Sequence, residues 1–303
     1  MPLVETTQCP LSAVSGRTRT FCTRRVIMNA RLSENQEYLR DLEKKARRGD
    51  DQAIAIIAEH AETPGALQAE AIFHLALMHD ETGEPSPFDV DRVAAKGLYQ
   101  VAAEMGHSMA GYFLGNMLDY GEGGERNPEQ ARRWYGFAAA EGIRDAQMHY
   151  ARMLEMGRGG HRDLEEAAQW YEKAVMQGDE LAAMNLGLLH LNGQLNSSNE
   201  EVAVRLFRFA ADSLLASAHI QLGELHWEGR ILEENHQYAL LHFCIAVELE
   251  PEEPWRSEAL KRQQKFFAAL DDTARQEFTE TARKYVAETH CDSRGSLSRQ
   301  TLN

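Results

Sequence analysis

A register of 36 residues runs through this chain without a gap and restricts its folding more than any other feature. Tyr99, Tyr135, Tyr171, Phe207 and Phe243 stand 36 apart, as do Ala95, Ala131, Ala167, Ala203 and Ala239. Ala102, Ala138, Ala174, Ala210 and Ala246 form a third column, Ala110, Ala146, Ala182 and Ala218 a fourth, and Gly121, Gly157, Gly193 and Gly229 a fifth. A fixed period of about 20–50 residues marks a stack of one supersecondary unit, because a single copy cannot bury its apolar face alone.

The columns define that unit. In "ARRWYGFAAAEG" the apolar residues Ala131, Trp134, Tyr135 and Ala138 fall at i, i+3, i+4 and i+7, one stripe of an α-helix. "MAGYFLGNMLDYG" repeats the spacing with Ala110, Leu114, Met117 and Leu118. Asp91, Asn127, Asp163, Asn199 and Asn235 precede the second helix of each unit, where a side-chain oxygen caps free backbone N–H groups. Pro128 suits the first helical position, and Asp163 with Glu166 reads as a capping box. Gly106, Gly142 and Gly178 stop the second helices.

The expected fold is all-α: a right-handed α-solenoid of about five 36-residue helical hairpins with helical caps at both ends. The hairpins are placed at about 66–106, 107–142, 143–178, 179–214 and 215–250, within a solenoid of 66–250. The first hairpin has a longer loop through "EPSPFD". Residues 32–65 read as N-terminal capping helices broken at Gly49, residues 251–289 as C-terminal capping helices, and 290–303 as a disordered tail.

Charge is unevenly placed. Residues 1–31 carry five arginines against Glu5, a net +4, which leaves −19 on the rest of a chain whose total is −15. This basic leader reads as disordered, as a targeting peptide, or as sequence upstream of a true start at Met28. It lacks the apolar core of a secretory signal, and no run approaches the ~18 apolar residues of a membrane span. Cys9, Cys22, Cys244 and Cys291 share no spacing, which favours reduced thiols and a cytoplasmic setting over a disulfide framework or zinc site. The acidic body disfavours nucleic acid, whose phosphates need clustered Lys and Arg.

Ala110, Leu114, Gly115, Gly121, Ala131, Trp134, Tyr135, Ala138 and Gly142, with their periodic partners, resemble the Sel1-like repeat, a tetratricopeptide-related helical hairpin. The likeness covers roughly residues 66–250, and the Gly-containing inter-helix loops "GEGGERNP" and "GRGGHRD" belong to it. Departures occur: Trp134 and Trp170 become Leu206 and His242, and Leu114 and Gly115 become Tyr150 and Ala151. The resemblance implies an interaction protein. The cysteine-rich secreted branch of the family has a disulfide in each repeat, a pattern not found here.

Motifs for chemistry are sparse. His190 and His226 share a column with Leu118 and Leu154, so packing is the expected role, and His74 and His79 share no helical face. No H-E-x-x-H, nucleophile elbow or Gly-Lys-Ser/Thr phosphate loop is found, and the Gly pairs read as turns. No catalytic residue, metal site or cofactor is expected, and the chain reads as a non-enzyme.

What repetition provides is a surface. In related solenoids the first helices line a concave groove, and two variable columns fall there: Phe113, His149, Asn185 and Gln221, and Asn116, Arg152, Leu188 and Glu224. The expected function is an adaptor or regulatory scaffold that presents this groove to a peptide or partner helix, with acidic charge steering a basic partner. The alternative is a small-ligand-binding or hydrolytic protein with a cleft between the repeats and the C-terminal hairpin.

Overall fold

A computed structural model of the chain describes residues 35–80, 90–229, 231–249, 260–261, 263–265, 267–268 and 270–293. The basic leader, the "EPSPFD" loop and the tail from residue 294 lie outside the described residues. Among the described residues there is no strand. The chain divides after Asn127 into two compact units.

The first unit holds α1 (35–47), α2 (Asp51–Glu62), α3 (Gln68–Asp80), α4 (Arg92–Glu104) and α5 (Ser108–Tyr120). The chain breaks at Gly49, and the Asp50 carboxylate then accepts the backbone N–H groups of Gln52 and Ala53 to start α2. Leu39, Leu42, Ala46, Ala53, Ile57, Ala71 and Met78 form the core of α1–α3. Ala95, Tyr99 and Ala102 on α4 and Ala110 on α5 are fully buried, each a member of a repeating column.

The second unit continues with α6 (Pro128–Ala140), α7 (Arg144–Met156), α8 (Leu164–Met176), α9 (Glu180–Leu191), α10 (Glu200–Asp212), α11 (Ala216–Glu228) and α12 (His236–Leu249). The described residues of 260–267 belong to α13, and α14 runs Asp272–Ser293. Helix therefore continues to Ser293, past the boundary expected at 289. Tyr135, Tyr171, Phe207 and Phe243 are each 0% exposed, and burial of such a ring contributes about 1.5–3 kcal/mol. Small residues make room for them: a Cβ on Gly187 would lie 2.6 Å from the Phe207 ring, and one on Gly223 2.8 Å from Phe243. Beyond α12, Phe267, Leu270 and Phe278 pack against the cluster of Ala239, Leu240 and Phe243, and Ala282 clusters with Cys244 and Ile245. The last hairpin thereby loses its bare apolar face.

The capping column works as its residue types require. Asp91 accepts from Val93 and Ala94, Asp163 from Glu166, Asn199 from Glu201 and Val202, and Asn235 from Tyr238, all backbone N–H groups. The backbone N–H of the cap reaches back across the loop, from Asp163 to the Leu154 carbonyl at 3.0 Å and from Asn235 to His226 at 2.9 Å. At Asn199 the acceptor is instead Nδ1 of His190, 3.3 Å away. That bond gives His190 a structural task in a column that holds leucine at 118 and 154.

Two expectations need correction. The capping box is half made: Glu166 sends its carboxylate to the Tyr150 hydroxyl (3.4 Å) and Trp170 Nε1 (3.3 Å), while the Asp163 N–H already serves Leu154. Trp134, expected on the buried stripe with Tyr135, is only half-buried and meets Phe137 edge-to-face at 5.9 Å.

Candidate partner-binding surface

The two variable columns sit on the first helices α5, α7, α9 and α11, and all eight residues are half-buried. The helical period explains this. Each follows a fully buried column member by three or six residues, so its Cβ lies at the shoulder of the apolar stripe.

These side chains are not idle. In the first unit Phe113 stacks on Tyr99, with centroids 5.3 Å apart and planes 11° from parallel, and also meets Phe73 at 5.8 Å. In the second unit His149 stacks on Tyr135 at 5.2 Å, and its Nδ1 accepts from the Arg152 guanidinium at 3.1 Å. Gln221 donates to Glu224 at 3.4 Å. The Tyr171 hydroxyl donates to Glu155 at 2.7 Å, and burial together with that carboxylate pushes its pKa well up. Phe113 and His149 thus rest on buried rings, and Arg152 and Glu224 of the second column bond to their first-column neighbours.

A cluster not foreseen from the sequence lies in the first unit, between α1, α3 and the start of α5. His74, 2% exposed, has Nδ1 2.5 Å from Glu43 and Nε2 3.6 Å from Glu70. Glu43 also accepts from Arg47 at 2.7 Å, and Glu70 holds His107 Nε2 at 3.0 Å and Gln36 at 3.3 Å. His107 stacks on Phe73 at 4.4 Å, and its Nδ1 accepts the Ala110 N–H, so an imidazole caps α5. Burial works against charge on His74, but its hydrogen bond to the Glu43 carboxylate and the nearby Glu70 carboxylate outweigh it and raise its pKa. Burial likewise pushes Glu70 up, and hydrogen bonds from His107 and His74 reverse that and hold it far below the usual carboxylate range. The chemistry is that of a buried charged brace joining three helices. Its one sequence signal was the i,i+4 pair of Glu70 and His74.

The second unit holds the opposite case. Nδ1 of His219 on α11 meets Nδ1 of His242 on α12 at 2.9 Å, so one ring donates and the other accepts. Tyr285 of α14 lies edge-on to His219 at 5.9 Å, and His226 stacks on His242 at 6.0 Å. Burial pushes the pKa of His219 down to about 4, and burial with the neighbouring histidines pushes His242 down to about 3. Both rings are neutral at pH 7. Among the described residues no group of three or more His, Cys, Asp or Glu is arranged to hold a metal ion. No helix among them is long and apolar enough to cross a membrane.

Among curated proteins none matches the chain. Solved structures share the fold, two of them as follows. A protective antigen of uropathogenic Escherichia coli strains, displaying an SLR fold, is 21% identical with TM-score 0.60, over 84% of this chain and 57% of that one. This chain therefore spans little more than half of that antigen's length. A Sel1 repeat protein from Oxalobacter formigenes is 24% identical with TM-score 0.59, over 83% of this chain and 99% of that one. The Sel1 repeat model matches residues 69–107, 108–143, 144–179, 181–213 and 216–250, more than half of the sequence. With the alanine and ring columns buried in helical hairpins and five successive repeats matched, the chain belongs to the Sel1 repeat family.

Proposed function

We propose that this protein is an adaptor that holds a peptide segment or partner helix against its first helices. Sel1 repeats typically serve as protein-interaction scaffolds. The observation that carries the reading is the half-burial of Phe113, Asn116, His149, Arg152, Asn185, Leu188, Gln221 and Glu224 beside columns that are fully buried. Identity changes from hairpin to hairpin at these positions, whereas the buried columns hold theirs. A side chain at the shoulder of a core stripe is already partly ordered, so contact with a partner costs less entropy than ordering a free one. Mixed aromatic, amide and charged groups suit a peptide that anchors a few side chains and bonds through its backbone.

The net charge of −15 favours a basic partner through steering, with binding that weakens as salt rises. A cytoplasmic setting fits Cys244, a free thiol buried in the core.

The test is capture of partners from native lysate by the wild type and by a variant with His149→Ala, Asn185→Ala and Gln221→Ala, first shown by circular dichroism to be folded. A protein retained by the wild type and lost from the variant supports the reading. A partner held equally by both, or one whose affinity is indifferent to salt, refutes the surface or the charge argument respectively.

A further inference from the structure

Two departures from the repeat meet at one place in the second unit. Position 136 is glycine where the equivalent positions hold Gln100, Glu172 and Arg208, and position 150 is tyrosine where they hold Leu114, Leu186 and Leu222. In space they are one event. The Tyr150 ring lies over Gly136, so that a Cβ there would stand only 3.2 Å from it. Tyr150 leaves the buried stripe, half-exposed, and points out between α6 and α8.

The result is a cleft of about 430 Å³ lined by Glu129, Arg132, Arg133, Gly136, Tyr150 and Trp170. Tyr150 and Trp170 meet at 5.6 Å with planes 75° apart, which forms an apolar corner rather than a slot. Lys173 covers one face of Trp170 at 3.4 Å, and Glu166 takes both the Tyr150 hydroxyl and the Trp170 N–H. The donors of the rings are therefore engaged, and ring carbon is what the two aromatics add to the lining of the cleft. Arg132 keeps one N–H on the His161 carbonyl at 2.8 Å. Arg133 is exposed and makes no hydrogen bond or ion pair among the described residues. Gly159 also lines the cleft, its backbone close against Pro128.

We propose that this cleft recognises an acidic peptide segment carrying an aromatic side chain, its ring in the Tyr150–Trp170 corner and its flanking carboxylates on Arg132 and Arg133. A ring gains offset or edge contact with the two aromatics. Guanidinium forks match carboxylates, and with Lys173 the three cations exceed Glu129 and Glu166 by one charge. The cleft lies mainly on second helices, so it stands or falls separately from the first-helix surface.

The test is nuclear magnetic resonance of the indole N–H of Trp170, assigned by Trp170→Phe, titrated with acetyl-Glu-Phe-Glu-amide. The expected result is a saturable shift with Kd on the order of 1 mM or below. Acetyl-Lys-Phe-Lys-amide and acetyl-Glu-Ala-Glu-amide should bind far more weakly, and Arg133→Ala should weaken the acidic peptide about threefold, as befits an exposed ion pair. The paired change Gly136→Gln with Tyr150→Leu restores residues that the repeat itself uses at these positions, so it should fold and lose saturable binding. An unmoved Trp170 signal, equal binding of the lysine peptide, or full binding by the restored pair would overturn the proposal. Phenylacetate binding as tightly as the acidic peptide would assign the cleft to a small acid and overturn the peptide reading.

Discussion

Three glycines in the inter-helix loops separate backbone strain from backbone collision. Gly159 has φ +69 and Gly193 φ +65, so alanine at either enters the left-handed region at a cost of about 1–2 kcal/mol. Part of that, roughly 0.4–1 kcal/mol, is returned by the stiffer unfolded chain. At Gly193 nothing lies within 4 Å of the added Cβ, so Gly193→Ala should cost about 1 kcal/mol. At Gly159 the Cβ would stand 2.2 Å from the Pro128 carbonyl oxygen and 2.7 Å from its carbon. An ordinary contact needs roughly 1 Å more, and both partners are backbone, so strain adds about 1–3 kcal/mol, giving roughly 2–4 for Gly159→Ala. Gly160 is the control: its Cβ would meet only the tip of Arg132 at 2.7 Å, which swings aside, and its φ is not left-handed. Gly160→Ala should therefore stay within about 1 kcal/mol. Urea unfolding followed by circular dichroism gives the ranking, and hydrogen exchange of α6 and α7 amides localises the loss, because repeat arrays need not unfold in one step. If Gly159→Ala falls within about 0.5 kcal/mol of Gly193→Ala, or Gly160→Ala is the worst of the three, the collision argument fails.

The two histidine clusters predict opposite pH behaviour. His219 and His242 are depressed to about 4 and about 3, so their stability contribution is complete above the unfolded value near 6.5 and is lost as pH falls towards the folded values. Replacing them with the residues that Gln147 and Leu206 supply at equivalent positions, His219→Gln with His242→Leu, should flatten stability between pH 6.5 and 4; an unchanged slope in acid-unfolding curves would refute this. His74 is raised, so its contribution is complete below the unfolded value and is lost as pH rises through the raised one. Glu70→Gln should lower the His74 pKa in an imidazole NMR titration and reduce stability at neutral pH, and a His74 pKa that stays put would show that Glu70 does not hold it.

The period, the caps and the identity of the buried ring column were legible in the sequence. Each is a local rule stated several times over: an Asp or Asn cap, a glycine stop, an alanine wherever two helix axes approach. The first-helix columns were legible as positions, but not that Phe113 and His149 would lie flat on Tyr99 and Tyr135. Tertiary structure alone decided the sites that interrupt the repeat. Glu43 meets His74 across 31 residues, His107 meets Glu70 across 37, and His219 meets His242 across 23, none of them a column relation. Tyr150 stood out in the sequence as a departure and Gly136 did not, and only the packing of α7 against α6 joins them into one cleft. A repeat announces itself because every copy needs the same neighbours. A site depends on side chains brought together once, and that meeting is a property of the folded chain.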